Sequence, residues 1–139
     1  MTSARLIRAF EQELLAALGK AGYPDLRMPH AALFETLSLT GDRLTTLAAR
    51  TQMTVQSMGE VVDDLEAKGY LTRRDDPTDR RARLIVFTDR GLAAREVSMG
   101  ITAAMESDFA DIVGSERLKQ AVRAFKDLLE VLDARLKRG

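Results

Sequence analysis

Three closely spaced polar side chains and a downstream cluster of arginines have the clearest chemical potential in this sequence. Gln56 can form two hydrogen bonds with an adenine, and Thr54 and Ser57 are short donors and acceptors suited to a base edge or a phosphate. Between Arg73 and Arg83, five arginines stand against three aspartates, on a chain whose formal net charge is zero. The pattern indicates a local basic surface for nucleic acid, and not a protein that coats it without discrimination.

Two helices are predicted to position the three polar side chains. A short helix is expected over residues 44–50 and a longer one over 54–68, because apolar residues recur there at three- and four-residue steps. Thr54 is a suitable N-cap, Gly69 ends the longer helix, and residues 51–53 form a tight connection. Such a pair is a helix-turn-helix, whose second helix enters the major groove of DNA by its N-terminal end.

A hairpin is predicted to carry the arginines. Residues 70–74 and 83–88 are expected to be strands on either side of a polar loop, residues 75–82, so that the hairpin forms a wing beside the helices. Two interpretations of its charges remain open. The arginines either contact DNA or are solvated hairpin charges, some of them paired across the strands.

A spaced motif runs through the second half of this hairpin. It consists of an Asp-x-Arg, Asp79 and Arg81, followed by a strand that ends in Phe-Thr-x-x-Gly, with Thr88 and Gly91. The motif resembles the winged helix-turn-helix of MarR-type (multiple antibiotic resistance) transcription regulators, with Phe87 in place of the usual Leu. This resemblance implies that Arg81 belongs to the DNA-contact surface and that Asp79 supports it by orienting arginine.

The residues and the resemblance together predict one DNA-binding surface. Its expected members are Thr54, Gln56, Ser57, Arg74, Arg80, Arg81 and Arg83. Glu60 departs from the pattern, because many relatives carry a basic or small polar residue there. Its carboxylate would repel phosphate unless it accepts a hydrogen bond from cytosine, so we expect Glu60 to lower affinity or to alter specificity.

Apolar seams occupy both ends of the chain and predict helices that need a partner surface. The last helix is expected to begin at its cap, Ser115, and to carry a heptad pattern. It could pack on the first helix of the same chain, but the resemblance favours a two-fold dimer in which terminal helices of two chains interlock. The predicted dimer contacts are Ile7, Phe10, Leu14, Leu118, Val122, Phe125, Leu129, Leu132 and Leu136.

The expected fold is mainly α with a small β wing, as one MarR-like domain over residues 1–139. Residues 28–95 would form the winged helix-turn-helix, and residues 1–22 and 96–139 the helical dimerisation region. The resemblance also implies a small-molecule pocket between these regions. Five residues could line it or could simply belong to the core: Phe10, Tyr23, Met28, His30 and Phe34.

Composition argues against several other classes of protein. The absence of Cys excludes disulfides and thiolate metal sites, and the single histidine, His30, is expected to be a surface or partly buried structural residue. We therefore predict no enzyme, no cofactor and no metal. No apolar stretch approaches a membrane span or a signal peptide, which predicts a soluble cytoplasmic protein.

The predicted function is sequence-specific binding of double-stranded DNA by a transcription regulator. We expect a ligand-responsive repressor that acts as a homodimer on a pseudo-palindromic operator. The alternative is a dimeric winged-helix adaptor that has lost productive DNA contact and holds a protein partner, which Glu60 and the neutral net charge permit.

Overall fold

The computed structural model describes residues 2–138, and these form six helices and a two-stranded antiparallel sheet. The expected class, mainly α with a small β wing, is confirmed. The chain forms two compact units, one up to Ile101 and the other from Thr102, so that the division falls within helix α5. The elements in order are α1 (Thr2–Lys20), α2 (Met28–Thr36), α3 (Leu44–Thr51), α4 (Val55–Ala67), β1 (Leu71–Asp76), β2 (Asp79–Phe87), α5 (Asp89–Val113) and α6 (Ser115–Leu136).

Helices α3 and α4 form the predicted helix-turn-helix. Gln52 ends α3 in a left-handed conformation, with φ at 56°, and its amide donates to α3 carbonyls. The chain therefore reverses in a tight turn before Thr54, whose side-chain oxygen accepts a 3.0 Å hydrogen bond from the Ser57 amide. The prediction that Thr54 caps the second helix is confirmed.

The wing is longer than predicted, and the expected polar loop over residues 75–82 is wrong. Both strands extend into it, so that only Pro77 and Thr78 separate them. The register is regular up to the pair Asp75 and Arg83 and then jumps to the pair Asp76 and Asp79. Residues 80–82 therefore have no partner on β1 and form a bulge.

A short backbone bridge attaches the wing to the segment before α3. Asp42 and Ile85 exchange both of their amide-to-carbonyl hydrogen bonds, at 3.1 and 2.8 Å. The neighbouring Gly41 has φ at 92°, and a Cβ there would lie 2.6 Å from Val86 Cγ1. The bridge thus depends on a residue without a side chain at position 41.

The first unit has a core in which aromatic rings meet apolar helix faces. The centroid of the buried Phe34 ring lies 6.0 Å from that of Tyr70 and 5.8 Å from that of Phe87. Leu14 is only 3% exposed within one chain, which corrects its assignment as a dimer contact. Other buried members are Leu18, Leu33, Leu47, Met58, Val62, Leu65 and Ile85.

Helices α5 and α6 differ in how they begin. The Thr88 hydroxyl accepts from the Gly91 amide at 3.0 Å, so the side chain caps the first turn of α5. The predicted cap of α6 at Ser115 is wrong, because the cap position is Gly114, with φ at 89°. No residue of α6 is fully buried, and most of its large apolar residues are exposed, while Leu118 is half-buried. Within residues 2–138, no helix is long and apolar enough to cross a bilayer.

Candidate nucleic-acid interface

The N-terminal end of α4 exposes all three polar residues predicted to read bases. Thr54 and Ser57 are already engaged with each other, since the Thr54 hydroxyl lies 2.9 Å from Ser57 Oγ as well as accepting from the Ser57 amide. Gln56 is exposed, and its side-chain amide has no partner in the described part of the chain. Of these three side chains, that of Gln56 is therefore the one without a hydrogen bond inside the described chain.

The arginines of the wing divide into paired and unpaired groups. Arg73 contacts Asp63 at 2.8 Å and Glu66 at 3.0 Å, and Arg83 lies 3.6 Å from Asp75. For Arg83 the cross-strand pairing is thus present.

Three further wing arginines were predicted to contact DNA. Arg74 reaches only the Thr40 carbonyl, at 3.4 Å. Arg80 and Arg81 are exposed, and among residues 2–138 neither guanidinium has an ion-pair or hydrogen-bond partner. Both lie in the wing bulge, so among the wing arginines they are the two that need give up no internal contact to bind an external anion.

Asp79 supports this bulge through the backbone. Its Oδ1 accepts a 2.9 Å hydrogen bond from the Arg81 amide, while its Oδ2 lies 3.9 Å from Arg43. The resemblance implied that Asp79 orients an arginine. The structure places its contact on the main chain of Arg81 and leaves the guanidinium free.

The acids in the C-terminal half of α4 are largely neutralised within the chain. Asp63 and Glu66 both contact Arg73, and Asp64 lies 2.9 Å from Lys68. The Lys68 hydrogen bond is the main cause that lowers the pKa of Asp64. Glu60 differs, because it is exposed and makes no ion pair with any residue in the range 2–138.

An ion pair between the buried Asp76 and the partly exposed Arg43 links the wing to the start of α3, and the sequence analysis did not predict it. Arg43 donates to Asp76 Oδ2 from Nε and from a terminal nitrogen, at 2.9 and 2.7 Å. Asp76 Oδ1 accepts from the Thr78 amide and hydroxyl, at 2.9 and 2.7 Å. These bonds, led by that of the Thr78 amide, lower the pKa of Asp76 to about 2. Residues of the Asp-Pro-Thr type are common in turns, but no local feature of the sequence indicates that Arg43 contacts this turn.

His30 is fully buried, so the expectation of a surface or partly buried residue is wrong. Its Nδ1 accepts a 2.9 Å hydrogen bond from the Arg27 amide. Its Nε2 lies 2.8 Å from Asp64 Oδ2, without the alignment of a hydrogen bond. Burial, followed by the nearby charge of Lys68, lowers the pKa of His30. The histidine therefore joins the start of α2 to α4 as a neutral residue.

The residues predicted to line a small-molecule pocket are partly in the core. Phe34 is buried, and the ring centroid of the half-buried Tyr23 lies 6.1 Å from that of the buried Tyr70. Phe10 and Met28 are half-buried. An open surface groove shares no residue with this set. It is lined by Leu39, Asp89, Leu92, Ala93, Arg95 and Glu96. No group of three or more His, Asp or Glu in residues 2–138 is arranged to hold a metal ion.

A protein-family model matches the part of the chain that contains the helix-turn-helix and most of the wing. The model of the MarR family matches residues 25–82. No curated protein sequence matches the chain significantly.

Solved structures match nearly the whole chain. AbsC, a MarR family transcriptional regulator from Streptomyces coelicolor, is 24% identical over 96% of this chain and 90% of its own, with a TM-score of 0.77. The PcaV regulator from the same organism, solved with its natural ligand, is 25% identical over 96% and 89%, with a TM-score of 0.72. FabT from Streptococcus pneumoniae, solved with DNA, is 17% identical over 96% of both chains, with a TM-score of 0.76.

The resemblance inferred from the wing motif is therefore confirmed. Residues 25–82 match the model of the MarR family, and the chain has the fold of solved MarR-family transcription regulators.

Proposed function

We propose that the protein is a transcription regulator that binds specific double-stranded DNA sequences as a homodimer. One observation carries the proposal. Arg80 and Arg81 are exposed in the wing bulge without an acidic partner among residues 2–138, whereas Arg73 and Arg83 beside them are paired. Unpaired guanidinium groups on a neutral molecule are suited to concentrated contact with phosphates.

The two DNA-facing elements would have different tasks. Gln56, at the start of α4, would read a base edge in the major groove, where an adenine offers it a donor and an acceptor. Arg81, with Arg80, would contact the backbone or enter the adjacent minor groove, where a narrow A·T-rich stretch has a strong negative potential. Thr54 and Ser57 would contribute phosphate contacts at the helix N-terminus.

The exposed apolar surface of α6 supports the homodimer. Val122, Phe125, Leu129 and Leu132 are each about half exposed, as expected of a helix that another chain covers. A two-fold dimer would present two α4 helices to half-sites about 10 base pairs apart, and its operator would be a pseudo-palindrome. The FabT structure, which contains DNA, supports duplex DNA as the partner.

We further propose that the regulator is a repressor that responds to a small molecule. The PcaV relative, solved with its natural ligand, supports an effector for this chain. A ligand that prefers a conformer with unsuitably spaced recognition helices would weaken DNA binding by the ratio of its affinities for the two conformers.

One observation favours the alternative function of a protein-binding adaptor. Glu60 is exposed on α4 and unpaired within the described chain, so it places a negative charge on the helix proposed to face DNA. Under the regulator proposal, this carboxylate restricts the sequences that α4 accepts. Under the adaptor proposal, it prevents productive DNA binding.

Selection from a randomised duplex library, followed by a salt titration of the enriched site, tests the proposal. We expect an inverted repeat to be enriched, and its affinity to fall steeply as salt rises, because bound arginines release counterions from the phosphates. A folded, dimeric protein that enriches no sequence and binds no DNA at low salt would overturn the regulator proposal and favour the adaptor.

A further inference from the structure

We propose that Arg43 and Asp76 are positioning residues for DNA recognition, because their ion pair holds the wing tip against the start of α3 and so presents the unpaired wing arginines. The inference rests on the proposed function. Neither residue is among the proposed DNA contacts. Arg43 precedes the first helix of the helix-turn-helix, and Asp76 is the last residue of β1, so the pair joins the two parts that must contact DNA together.

The geometry of the pair favours a fixed wing. Two nitrogens of one guanidinium donate to a single carboxylate oxygen, and the other oxygen holds the two-residue turn through Thr78. The Asp76 side chain is only 7% exposed, so water competes little for it. Arg43 occupies the N-cap position of α3 but makes no side-chain capping bond, so its guanidinium serves the wing.

The wing is thereby held at two places by consecutive residues. Asp42 bridges the middle of β2 through its backbone, and Arg43 holds the tip through its side chain. The bulge of residues 80–82 begins beside the tip, and Arg43 also lies 3.9 Å from Asp79, which accepts the Arg81 amide. Breaking the ion pair would therefore release the segment that carries Arg80 and Arg81.

The sign of a charge change provides the test. Asp76→Asn removes a negative charge near arginines proposed to face phosphates, so electrostatics alone would strengthen DNA binding. The positioning role predicts the opposite, a loss of roughly tenfold in affinity, comparable to the loss of one arginine contact. Asp75→Asn is the matched control, because it makes the same charge change one residue away, where the contact with Arg83 is exposed and 3.6 Å long.

The experiment measures the affinity of the full chain for its selected operator across salt concentrations, in the parent, Arg43→Gln, Asp76→Asn, Asp75→Asn and Arg81→Ala proteins. We expect Arg43→Gln and Asp76→Asn each to weaken binding and to reduce the salt slope. We expect little further loss when either is combined with Arg81→Ala, while Asp75→Asn binds as the parent or more tightly. Circular dichroism of each variant verifies folding, and if Asp76→Asn does not fold, Asp76→Glu and Arg43→Lys replace it.

Two failures are distinguishable. If the parent enriches no operator, the proposed function is wrong, and the inference falls with it. If the parent binds but Asp76→Asn matches Asp75→Asn, the positioning role is wrong while the regulator stands. If Arg43→Gln weakens DNA binding and Asp76→Asn does not, the positioning role is also wrong, because Arg43 would then contact DNA directly.

Discussion

Individual wing arginines that are alike in sequence differ in the partners that the fold gives them. Arg83 faces Asp75 across the strands, whereas Arg81 stands in the bulge with its guanidinium free among the described residues. An arginine already paired gains less from a phosphate, because it must first give up a contact. The two side chains should therefore contribute unequally to DNA binding.

This difference gives a prediction for Arg81 and its control. Arg81→Ala should weaken binding to all sequences by about tenfold and lower the salt slope by about one, as expected for one phosphate contact. Arg83→Ala should have a clearly smaller effect. Fluorescence anisotropy with a labelled operator, titrated at several salt concentrations, measures both. Equal affinities of the parent and Arg81→Ala would remove Arg81 from the contact surface.

Gln56 should behave differently from the wing. Gln56→Ala is expected to relax the base preference at one position in each half-site, because it removes a contact to a base edge and leaves phosphate contacts intact. Repeating the library selection with the variant measures this change. An unaltered preference at every position would exclude Gln56 from base readout.

His30 predicts how stability responds to pH. Its pKa is lowered in the folded chain, so near pH 6.5 the unfolded chain binds a proton that the folded chain does not. The free energy of unfolding should therefore fall as the pH drops below about 6.5, until the pH reaches the lowered pKa of the folded state. Urea unfolding at pH 7.5 and 5.5 measures this loss.

His30→Gln is the control for this assignment. Glutamine cannot titrate but can still accept from the Arg27 amide, so the variant should lose less stability over the same interval. His30 is the only histidine in the chain, which makes the comparison specific. A loss of the same size in the variant would assign the pH dependence to other groups.

At the scale of elements, helix α5 offers two glycines with opposite expectations. A Cβ on Gly91 would lie 1.9 Å from the Tyr70 carbonyl oxygen, whereas a Cβ on Gly100 would meet no atom of residues 2–138 within 4 Å. Gly91→Ala should destabilise the protein by about 2 kcal/mol or more, because the backbone must move. Gly100→Ala should stabilise it by about 0.5–1 kcal/mol through lower chain entropy. Chemical unfolding compares them, and equal stabilities would contradict the close approach at Gly91.

The helices were more predictable than the strands, and the physical reason is visible in α4 and β2. The apolar spacing of α4 and its cap at Thr54 are local signals, and the observed helix agrees with the prediction to within a residue at each end. The start of β2 is the polar run Asp79-Arg80-Arg81, which looks like a loop. Strand β2 nevertheless begins there, because the two-residue turn pairs Asp79 with Asp76 across the hairpin, and local composition does not report that pairing.

The candidate site was only partly predictable for the same reason. Exposed positions such as Gln56 follow from helical spacing, and Arg81 follows from the family motif. The contact between Arg43 and Asp76 spans 33 residues, so no local pattern contains it. The burial of His30 was also not predictable, because its contact with Asp64 joins residues far apart in the sequence.

At the scale of the whole molecule, α6 leads to a prediction about assembly. Leu129 is 56% exposed and lies in the predicted heptad seam. Leu129→Glu should convert the proposed dimer to a monomer, because it introduces a charge where another chain would cover the helix. The affinity for an inverted repeat should fall when the dimer is lost, because a single chain contacts only one half-site.

Gln120→Glu is the matched control, because heptad spacing places residue 120 away from the seam. It introduces the same side chain into the same helix and should leave the dimer intact. Sedimentation equilibrium measures both variants. A dimer of unchanged stability in Leu129→Glu would show that this part of α6 lies outside the interface.

The bridge between Asp42 and Ile85 affects which positions a mutational scan of this protein should find intolerant. Gly41 stands beside it in a backbone conformation that favours glycine, with Val86 and Ile85 filling the space of a side chain. Any substitution there should shift the wing relative to α3 while touching no nucleotide. A scan of all positions, scored by reporter repression, should therefore rank residue 41 among the intolerant positions beside residue 81, although only the latter is proposed to contact the operator.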